Sequence, residues 1–556
     1  MNTPAGRDSA VVIGAGIAGL AAAKVLANRF ARVLVIDRDE LPDKAEPRRG
    51  VPQGQHSHVL LVAGQRTLEE LFPGLGAELV DAGAVVFDSA SDLHLYRLGA
   101  VWQPVHSDLP FVSLSRPLLE HTLRERVRKL ANVTIRTGTA VSALTGSDGQ
   151  VSTVVLDGAE TVAADLVVDC SGRGSRSNRW LGALGFPPPE AAEVKVNVGY
   201  VSRLYRRKPG DLDVCAAFIQ PTPPHEKKIG AALLIENDTW LVSVGGWHGD
   251  YPKPDEESFL RHAKELPDPI IADLITRSEP LTEPVPYHFS SNRRRFFEQL
   301  DDVPGGYVAL GDSICSFNPL YGQGMTCAAQ QAQALGQVLD AHGEVTADVA
   351  KAYYQAAAGI TFIPWQAAIG SDFDYPETGG AKPPATELFG RFSTQVQLAA
   401  QVSGEVRKHV LSVQHLLAPP MVLWRPSLVA EVVRAARHAP DEHPRFGSGQ
   451  HGRPLWTEQD QDAELVRAAL REAGLAEFTD EQLGFAVEGG EPMLVTCTDP
   501  ALIGTGGLDR YTEAITAAGF TATTDPDDAY LLRVLPAPGL PRSRQRLASS
   551  TRAAQS

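Results

Sequence analysis

The apolar positions at the start of the chain fall into three blocks. Ala10 to Ile13 is a short continuous run, the pattern of a buried strand; Leu20 to Phe30 reads as a helix and Arg32 to Ile36 as a second strand. Further on, "VSLSRPLLEHTLRERVRKLANVTI" carries an amphipathic helix opened by Arg116, with Leu118, Leu119, Leu123, Val127 and Leu130 at its apolar positions. The segments "VNVGYVSRLYRR", "AAFIQP", "GAALLIENDTWLVSVGGW" and "VPYHFSS" alternate as strands do and predict an antiparallel sheet, to which "DSASDLHLYRLGAVWQP" adds an edge hairpin. From about residue 346 the spacing turns helical, through "VTADVAKAYYQAAAGITFIPWQAAIGSDF" to "LAPPMVLWRPSLVAEVVRAARHA". A polar Gly/Pro-rich linker follows at 440–454. Residues 455–540 then form a compact α+β appendage, with a helix capped at Thr457, strands in "PMLVTCT" and "YLLRVLP", and the helix "LDRYTEAITAAGF" between them. The basic, apolar-poor stretch 541–556 is expected to be a disordered tail.

Length and charge narrow the class. A chain of 556 residues is too long for one hydrophobic core, so several domains are expected. A net charge of −16 argues against nucleic acid or an anionic membrane as the main partner. The cysteines Cys170, Cys215, Cys315, Cys327 and Cys497 are sparse and not in C-x-x-C spacing, which reads as reduced thiols and no metal site. No run of about 18 apolar residues predicts a membrane span. The apolar stretch "AVVIGAGIAGLAAAKVLA" follows Asp8 without a basic leader and carries regularly spaced glycines, so it reads as part of the fold rather than a signal peptide; a cytoplasmic protein is expected.

Chemistry enters at the first turn. Gly14-Ala15-Gly16-Ile17-Ala18-Gly19 is GxGxxG between a strand and a helix. Gly14 allows the tight turn, Gly16 lets backbone approach a pyrophosphate, and Gly19 lets the helix lie close to the strand. The diphosphate would sit on free N–H groups at the helix N-terminus. Asp37, at the end of the second strand, is placed to accept from both ribose hydroxyls, which disfavours a 2′-phosphate in this site. This much does not separate NAD from FAD. A second cluster, "ALGDSICSFNPLYGQGMTCAAQQA", does. Its Asp312 ends another strand, and the loop from Pro319 to Gly324 leads into a helix expected from about Gly322. A cofactor with a ribityl chain and a ring beyond its pyrophosphate needs such a second contact; an anionic reduced flavin would meet the positive end of that helix.

Four segments now coincide: GAGIAG with Asp37, "EPRRGVPQGQHSHVLL", "LVVDCSGRGS" and "GDSICSFNPLYGQGM". On these, residues 8 to 440 resemble the FAD-dependent monooxygenases of the para-hydroxybenzoate hydroxylase fold. The resemblance is nearest to actinobacterial natural-product epoxidases and hydroxylases such as polyether epoxidases, and more distant to squalene epoxidase. It implies an α/β fold: a discontinuous Rossmann-like FAD-binding domain (1–85, 112–182, 290–340), an antiparallel-sheet substrate domain (86–111, 183–289) and a helical cap (341–440). It implies further FAD contacts at Arg38, Arg48, Val51, Gln53, Arg116, Val141 and Gly172, besides Asp312, Pro319, Gly322, Gly324 and Met325, with Pro319 nearest the reactive ring face. His56, His58, Trp240 and Phe317 are candidates to line the substrate pocket, and Trp102 and Trp247 are further aromatic candidates. Asp169 and Gly172, adjacent in NADPH-using hydroxylases of this family, are separated here by Cys170-Ser171. NAD(P)H or a separate flavin reductase would then supply electrons.

The implied reaction inserts one oxygen atom from O2 through a flavin C4a-hydroperoxide, with a small hydrophobic alkene of a polyketide or terpenoid as substrate and no side chain required as acid or base. The alternatives are aromatic hydroxylation, a non-oxygenating flavin reductase of isoprenoid double bonds, and a flavin-binding partner protein. Halogenases of this fold carry a WxWxIP stretch, whereas this chain has only "FIPW".

Overall fold

The computed structural model describes residues 7–382, 386–439, 458–479, 482–488, 492–498, 507–526, 528 and 530–537. The linker, the tail and Thr457 lie outside the described residues. The chain divides into two compact units, residues 1–439 and 440–556.

In the first unit a five-stranded parallel sheet has the order Tyr307–Ala309, Leu166–Asp169, Ser9–Ile13, Arg32–Ile36, Val133–Arg136. Ile13 is in register with both Ile36 and Asp169, so the strand tips that carry Asp37 and Asp169 come together at one edge. Val11, Val12, Val167 and Val168 are fully buried, as expected of a parallel sheet covered on both faces. The helix Ile17–Ala27 starts three residues earlier than its apolar run suggested. Gly19 lies inside its first turn, where a Cβ would stand 1.8 Å from the Gly14 carbonyl oxygen; close packing on the strand outweighs glycine's poor helix propensity.

The second sheet has eight strands, in the order Cys315–Ser316, Val285–Arg295, Ala191–Arg206, Thr239–Gly246, Lys228–Ile235, Ala216–Ile219, Leu93–Arg97, Ala100–Val101. It contains the expected alternating segments, and the hairpin at 93–101 forms its edge. One pairing departs from the antiparallel expectation: Ala216–Ile219 runs parallel to Leu93–Arg97. The sheet has two apolar faces. Val242, Val244, Ala232 and Trp240 pack on the helices Glu256–Lys264 and Ile270–Arg277 through Phe259 and Ile271. Leu204, Leu241, Leu233 and Ala216 face the other way, toward Val59, Phe87 and Phe111. The helices Ala347–Asp372, Thr386–Val402, Gly404–Gln414 and Pro426–Ala436 fill the region read as helical.

The second unit has the helices Glu458–Glu472 and Gly507–Ala517 and a four-stranded antiparallel sheet around Val466, Phe485, Val495, Tyr511 and Val534. Two of its strands, Phe485–Glu488 and Phe520–Thr524, are absent from the sequence expectation; four or five residues of mixed polarity give too little periodicity.

Candidate functional site

A cavity of about 400 Å³ opens at the C-terminal edge of the parallel sheet and reaches the second sheet at Tyr287 and Phe289. Gly14, Gly16, Ile17, Ala18, Asp37 and Arg38 line one end, with Arg48, Val51, Gln53, Arg116, Val141 and Gly172 along it. Asp312, Phe317, Pro319, Gly322, Gly324, Met325 and His58 line the other end. Ala15 and Gly19 do not line it. Ala15 N–H donates to Asp37 Oδ2 at 2.7 Å, and Gly19 is turned against the Gly14 carbonyl. Both shape the turn instead of touching its contents.

The turn is built for close approach. Gly14 has φ +103°, and a Cβ there would lie 2.6 Å from the Cys170 carbonyl oxygen, so the two strand tips touch only because the residue is glycine. In front of Gly16, a Cβ would meet nothing nearer than Arg48 Nη2, at 3.7 Å. That open space faces the N-terminus of the helix Ile17–Ala27, a seat for a diphosphate. Arg48 itself is held by three carboxylates: Nη1 lies 2.7 Å from Asp39 and 3.4 Å from Asp37, and Nε lies 2.6 Å from Glu120. Burial lowers its pKa, but Glu120 and Asp37 outweigh that and the guanidinium is held above its ordinary value. Nη2 is thus the edge of Arg48 that remains toward the glycine loop.

Arg116 opens the helix Arg116–Arg128, behind a Ser115 cap whose Oγ accepts from Leu118 N–H at 3.2 Å. An arginine at a helix start is unfavourable to the dipole. Its Nη2 is 3.9 Å from Glu120, and its buried Nε has no hydrogen-bond partner. Burial lowers its pKa, with Glu120 and Asp312 opposing. A buried, unmatched cationic donor on a cavity wall fits an anionic cofactor. Across the cavity, burial raises the Asp312 carboxyl while Arg116, Arg173 and Arg293 pull it down. Its Oδ1 stands 3.6 Å from where a Gly324 Cβ would be, beside the N-terminus of the helix Gly324–Ala341.

The loop ahead of that helix is more structured than expected. Asn318 Oδ1 caps a short 3-10 turn, Pro319–Tyr321, by accepting from Leu320 N–H at 3.2 Å. Gly322 follows at φ +67°, and the helix begins at Gly324, two residues later than expected. Val59, Tyr287, Phe289, Phe317 and Met325 make this end of the cavity largely apolar. His58 is neutral here: burial, reinforced by Arg116, lowers its pKa to about 3.

Two pocket candidates lie elsewhere. His56 is fully buried behind the wall, with Nδ1 2.7 Å from Ser202 Oγ and its ring edge-on to Tyr200 at 5.0 Å. Trp240 pairs with Tyr205 and points to the sheet face covered by the helices Glu256–Lys264 and Ile270–Arg277, with Nε1 3.3 Å from Asp211. Strand alternation puts it on the face opposite Leu241. Trp102 is also core, buried under the helices after 386 with the Arg407 guanidinium 5.3 Å from its ring centre. Asp169 does not line the cavity: it is fully buried and accepts from Ser171 N–H and Oγ, Ser175 Oγ and Tyr307 Oη.

Glu120, Asp39 and Tyr287 were not singled out from the sequence. The i, i+4 spacing of Arg116, Glu120 and Arg124 was a readable signal for the first. Among the described residues no cluster of His, Cys, Asp or Glu could hold a metal ion, and no helix is long and apolar enough to cross a membrane.

This geometry agrees with known proteins. Residues 8–358 match the FAD binding domain family, and the chain belongs to it. Its fold is that of the FAD-dependent monooxygenases. It is 33% identical over 409 residues to Protein Rv3254 of Mycobacterium tuberculosis, an alignment covering 69% of this chain and 85% of that one. Squalene monooxygenase SE1 of Panax ginseng is 32% identical over 181 residues, 32% of either chain. Among solved structures, the flavin-dependent brominase Bmp2 superposes with a TM-score of 0.52 at 15% identity, covering 77% of this chain and 98% of that one. The residues around the cavity fit FAD: an open glycine loop at a helix N-terminus, an arginine whose buried Nε has no hydrogen-bond partner, and a second helix N-terminus at the apolar end.

Proposed function

We propose that this FAD-dependent monooxygenase transfers one oxygen atom from O2 to an alkene of an apolar polyketide or terpenoid, forming an epoxide. The observation that carries this reading is the far end of the cavity, walled by Val59, Phe289, Phe317, Pro319 and Met325 with a neutral His58. Such a wall offers an alkene an apolar seat, and His58, its pKa lowered by burial to about 3, is too weak a base to ionise a phenol. Bound FAD supplies the oxygen activation; the chain supplies position and dryness. Gly16 and the helix N-terminus at Ile17 would hold the diphosphate, with Arg48 Nη2 and Arg116 as cationic donors and Asp37 on the ribose. Asp312 would take the ribityl side, and the Gly324 helix N-terminus would favour negative charge at the ring edge. The similarity to a squalene monooxygenase supports the epoxide over a hydroxylated ring.

Photoreduced, FAD-loaded protein mixed with isotopically labelled O2 and paired alkene and aromatic probes tests this. One labelled oxygen in an epoxide is the expected result. Label only in a phenol turns the reading to aromatic hydroxylation, and an unlabelled, reduced double bond turns it to a reductase. Electrons are proposed to come from a separate flavin reductase, because Cys170-Ser171 interrupts the Asp-Gly pair and Asp169 is occupied by four hydrogen bonds. Rapid anaerobic bleaching of the flavin by NADPH alone would refute that part.

A further inference from the structure

We infer that Asp372 is a positioning residue, which sets the loop Asn318–Gly322 against the substrate-side sheet; this rests on the reading that the cofactor ring meets that loop. Asp372 ends the helix Ala347–Asp372 and is fully buried. Its Oδ1 accepts from Trp247 Nε1 at 3.1 Å, Asn318 Nδ2 at 3.0 Å and Tyr321 Oη at 2.8 Å. Its Oδ2 accepts from Asn292 Nδ2 at 2.6 Å. No Arg, Lys or His among the described residues forms an ion pair with it. It also stands at a helix C-terminus, where the dipole disfavours negative charge.

A buried carboxylate so placed is costly for folding. What it obtains is four fixed donors from two sources. Asn318 and Tyr321 flank Pro319, which lines the cavity; Asn292 lies in the sheet strand Val285–Arg295, and Trp247 directly follows the strand Thr239–Gly246. The clasp is closed at its second end as well. Asn318 N–H donates to Asn292 Oδ1 at 2.5 Å, so Asn292 cannot turn its amide over without losing that bond. An asparagine at position 372 keeps one oxygen for three donors and turns its NH2 toward the Asn292 NH2. Moving the carboxylate to position 292 reverses that conflict: in D372N/N292D the amide now at 372 donates to one oxygen of the carboxylate now at 292, and the other oxygen still accepts from Asn318 N–H.

The test uses the full-length, FAD-loaded protein and the variants D372N and D372N/N292D, with Y321F as a milder variant should D372N fail to fold. The readouts are FAD dissociation constant, visible absorption and circular dichroism of the bound flavin, and the melting midpoint of the apoprotein. D372N is expected to weaken FAD about tenfold, the equivalent of one misplaced hydrogen bond, and to change the flavin spectrum. The double variant should recover most of both. Y321F should move both in the same direction, by less. Unchanged FAD affinity and spectrum in D372N and Y321F overturn the inference. So does a double variant that recovers the melting midpoint while the flavin readouts stay at the D372N values, since Asp372 would then serve the fold alone. If the wild-type protein fails to bind FAD, the cofactor reading falls, and that is recorded before any variant is compared.

Discussion

Replacing Arg48 tests how the cavity's charges are balanced. Its side chain is 8% exposed, and its partners Asp37, Asp39 and Glu120 are 6%, 10% and 6% exposed. Removing one member of a buried ion pair costs ~3–5 kcal/mol, because the other charge is left buried and unpaired. The partners are not equally stranded in R48M. Glu120 keeps Arg116 at 3.9 Å and Arg124 at 4.0 Å, and Asp37 keeps the Ala15 and Asp39 N–H groups. Asp39 Oδ2 keeps only Gly50 N–H, at 2.6 Å. The loss should therefore fall at the low end, about 3 kcal/mol, which for a unit of this size lowers the melting midpoint by roughly 3 °C. R48K retains the charge, but one ammonium cannot copy two separate edges of a guanidinium, so about half that loss is expected. FAD affinity should fall about tenfold in R48M through the lost Nη2 contact at Gly16. The measurements are thermal melting of the apoprotein and fluorescence titration with FAD. An R48K protein that melts and binds FAD as the wild type does would refute the argument from guanidinium geometry; an unchanged R48M would refute the charge balance itself.

Three further substitutions follow from the same structure. At Asp312, burial raises the carboxyl pKa, so the folded state holds its proton more tightly than the unfolded chain and ionisation lowers stability as pH rises through that range; D312N should raise the apoprotein melting midpoint at pH 7 while weakening FAD, and a lowered midpoint would contradict it. His56 is held at about 4, below its ordinary 6.5, by burial, so the unfolded chain binds more protons between those values and stability worth roughly 3 kcal/mol is lost as pH falls from about 6.5 to about 4; H56N should reduce the slope of the urea midpoint against pH in that window, leaving the share that His58 and His415 contribute, and an unchanged slope would count against it. W240A should cost ~3–5 kcal/mol through the cavity it leaves, yet hold FAD affinity within about twofold; a large loss of FAD binding would return Trp240 to the pocket.

The features legible in the sequence are those whose determinants lie close together along the chain. Gly14 to Asp37 spans one strand–helix–strand unit, and every constraint on it is local: the positive φ at Gly14, the helix N-terminus at Ile17, and the carboxylate at the next strand tip. The loop at Asn318–Gly324 is local in the same way. What escaped depends on distant partners. Arg48 finds Glu120 72 positions away, and Asn318 finds Asp372 54 positions away. No periodicity encodes such pairings. Asp372 in particular ends a helix that reads from its sequence as an ordinary amphipathic segment.

Trp240 fails for a different reason. The strand Thr239–Gly246 is buried at every position, so alternation divides its side chains between two faces without saying which faces the cofactor. Hydrophobicity is nearly symmetric between the faces, since each packs against a covering layer. Polar residues break the symmetry. Ser202 and Ser243 share the face of Leu204 and Leu241, and their hydroxyls lie 2.5 Å apart. Ser243 reaches Ser57 Oγ at 2.8 Å, and Ser57 lines the cavity. The opposite face of the same two strands holds Val201, Val242 and Val244. A buried hydroxyl needs a partner, whereas a covering helix offers apolar side chains and few free acceptors. In a sheet buried on both faces, the face that places serines opposite one another in register is therefore the one turned toward polar loops and a ligand; Trp240, in register with Tyr205 and not with a serine, belongs to the other.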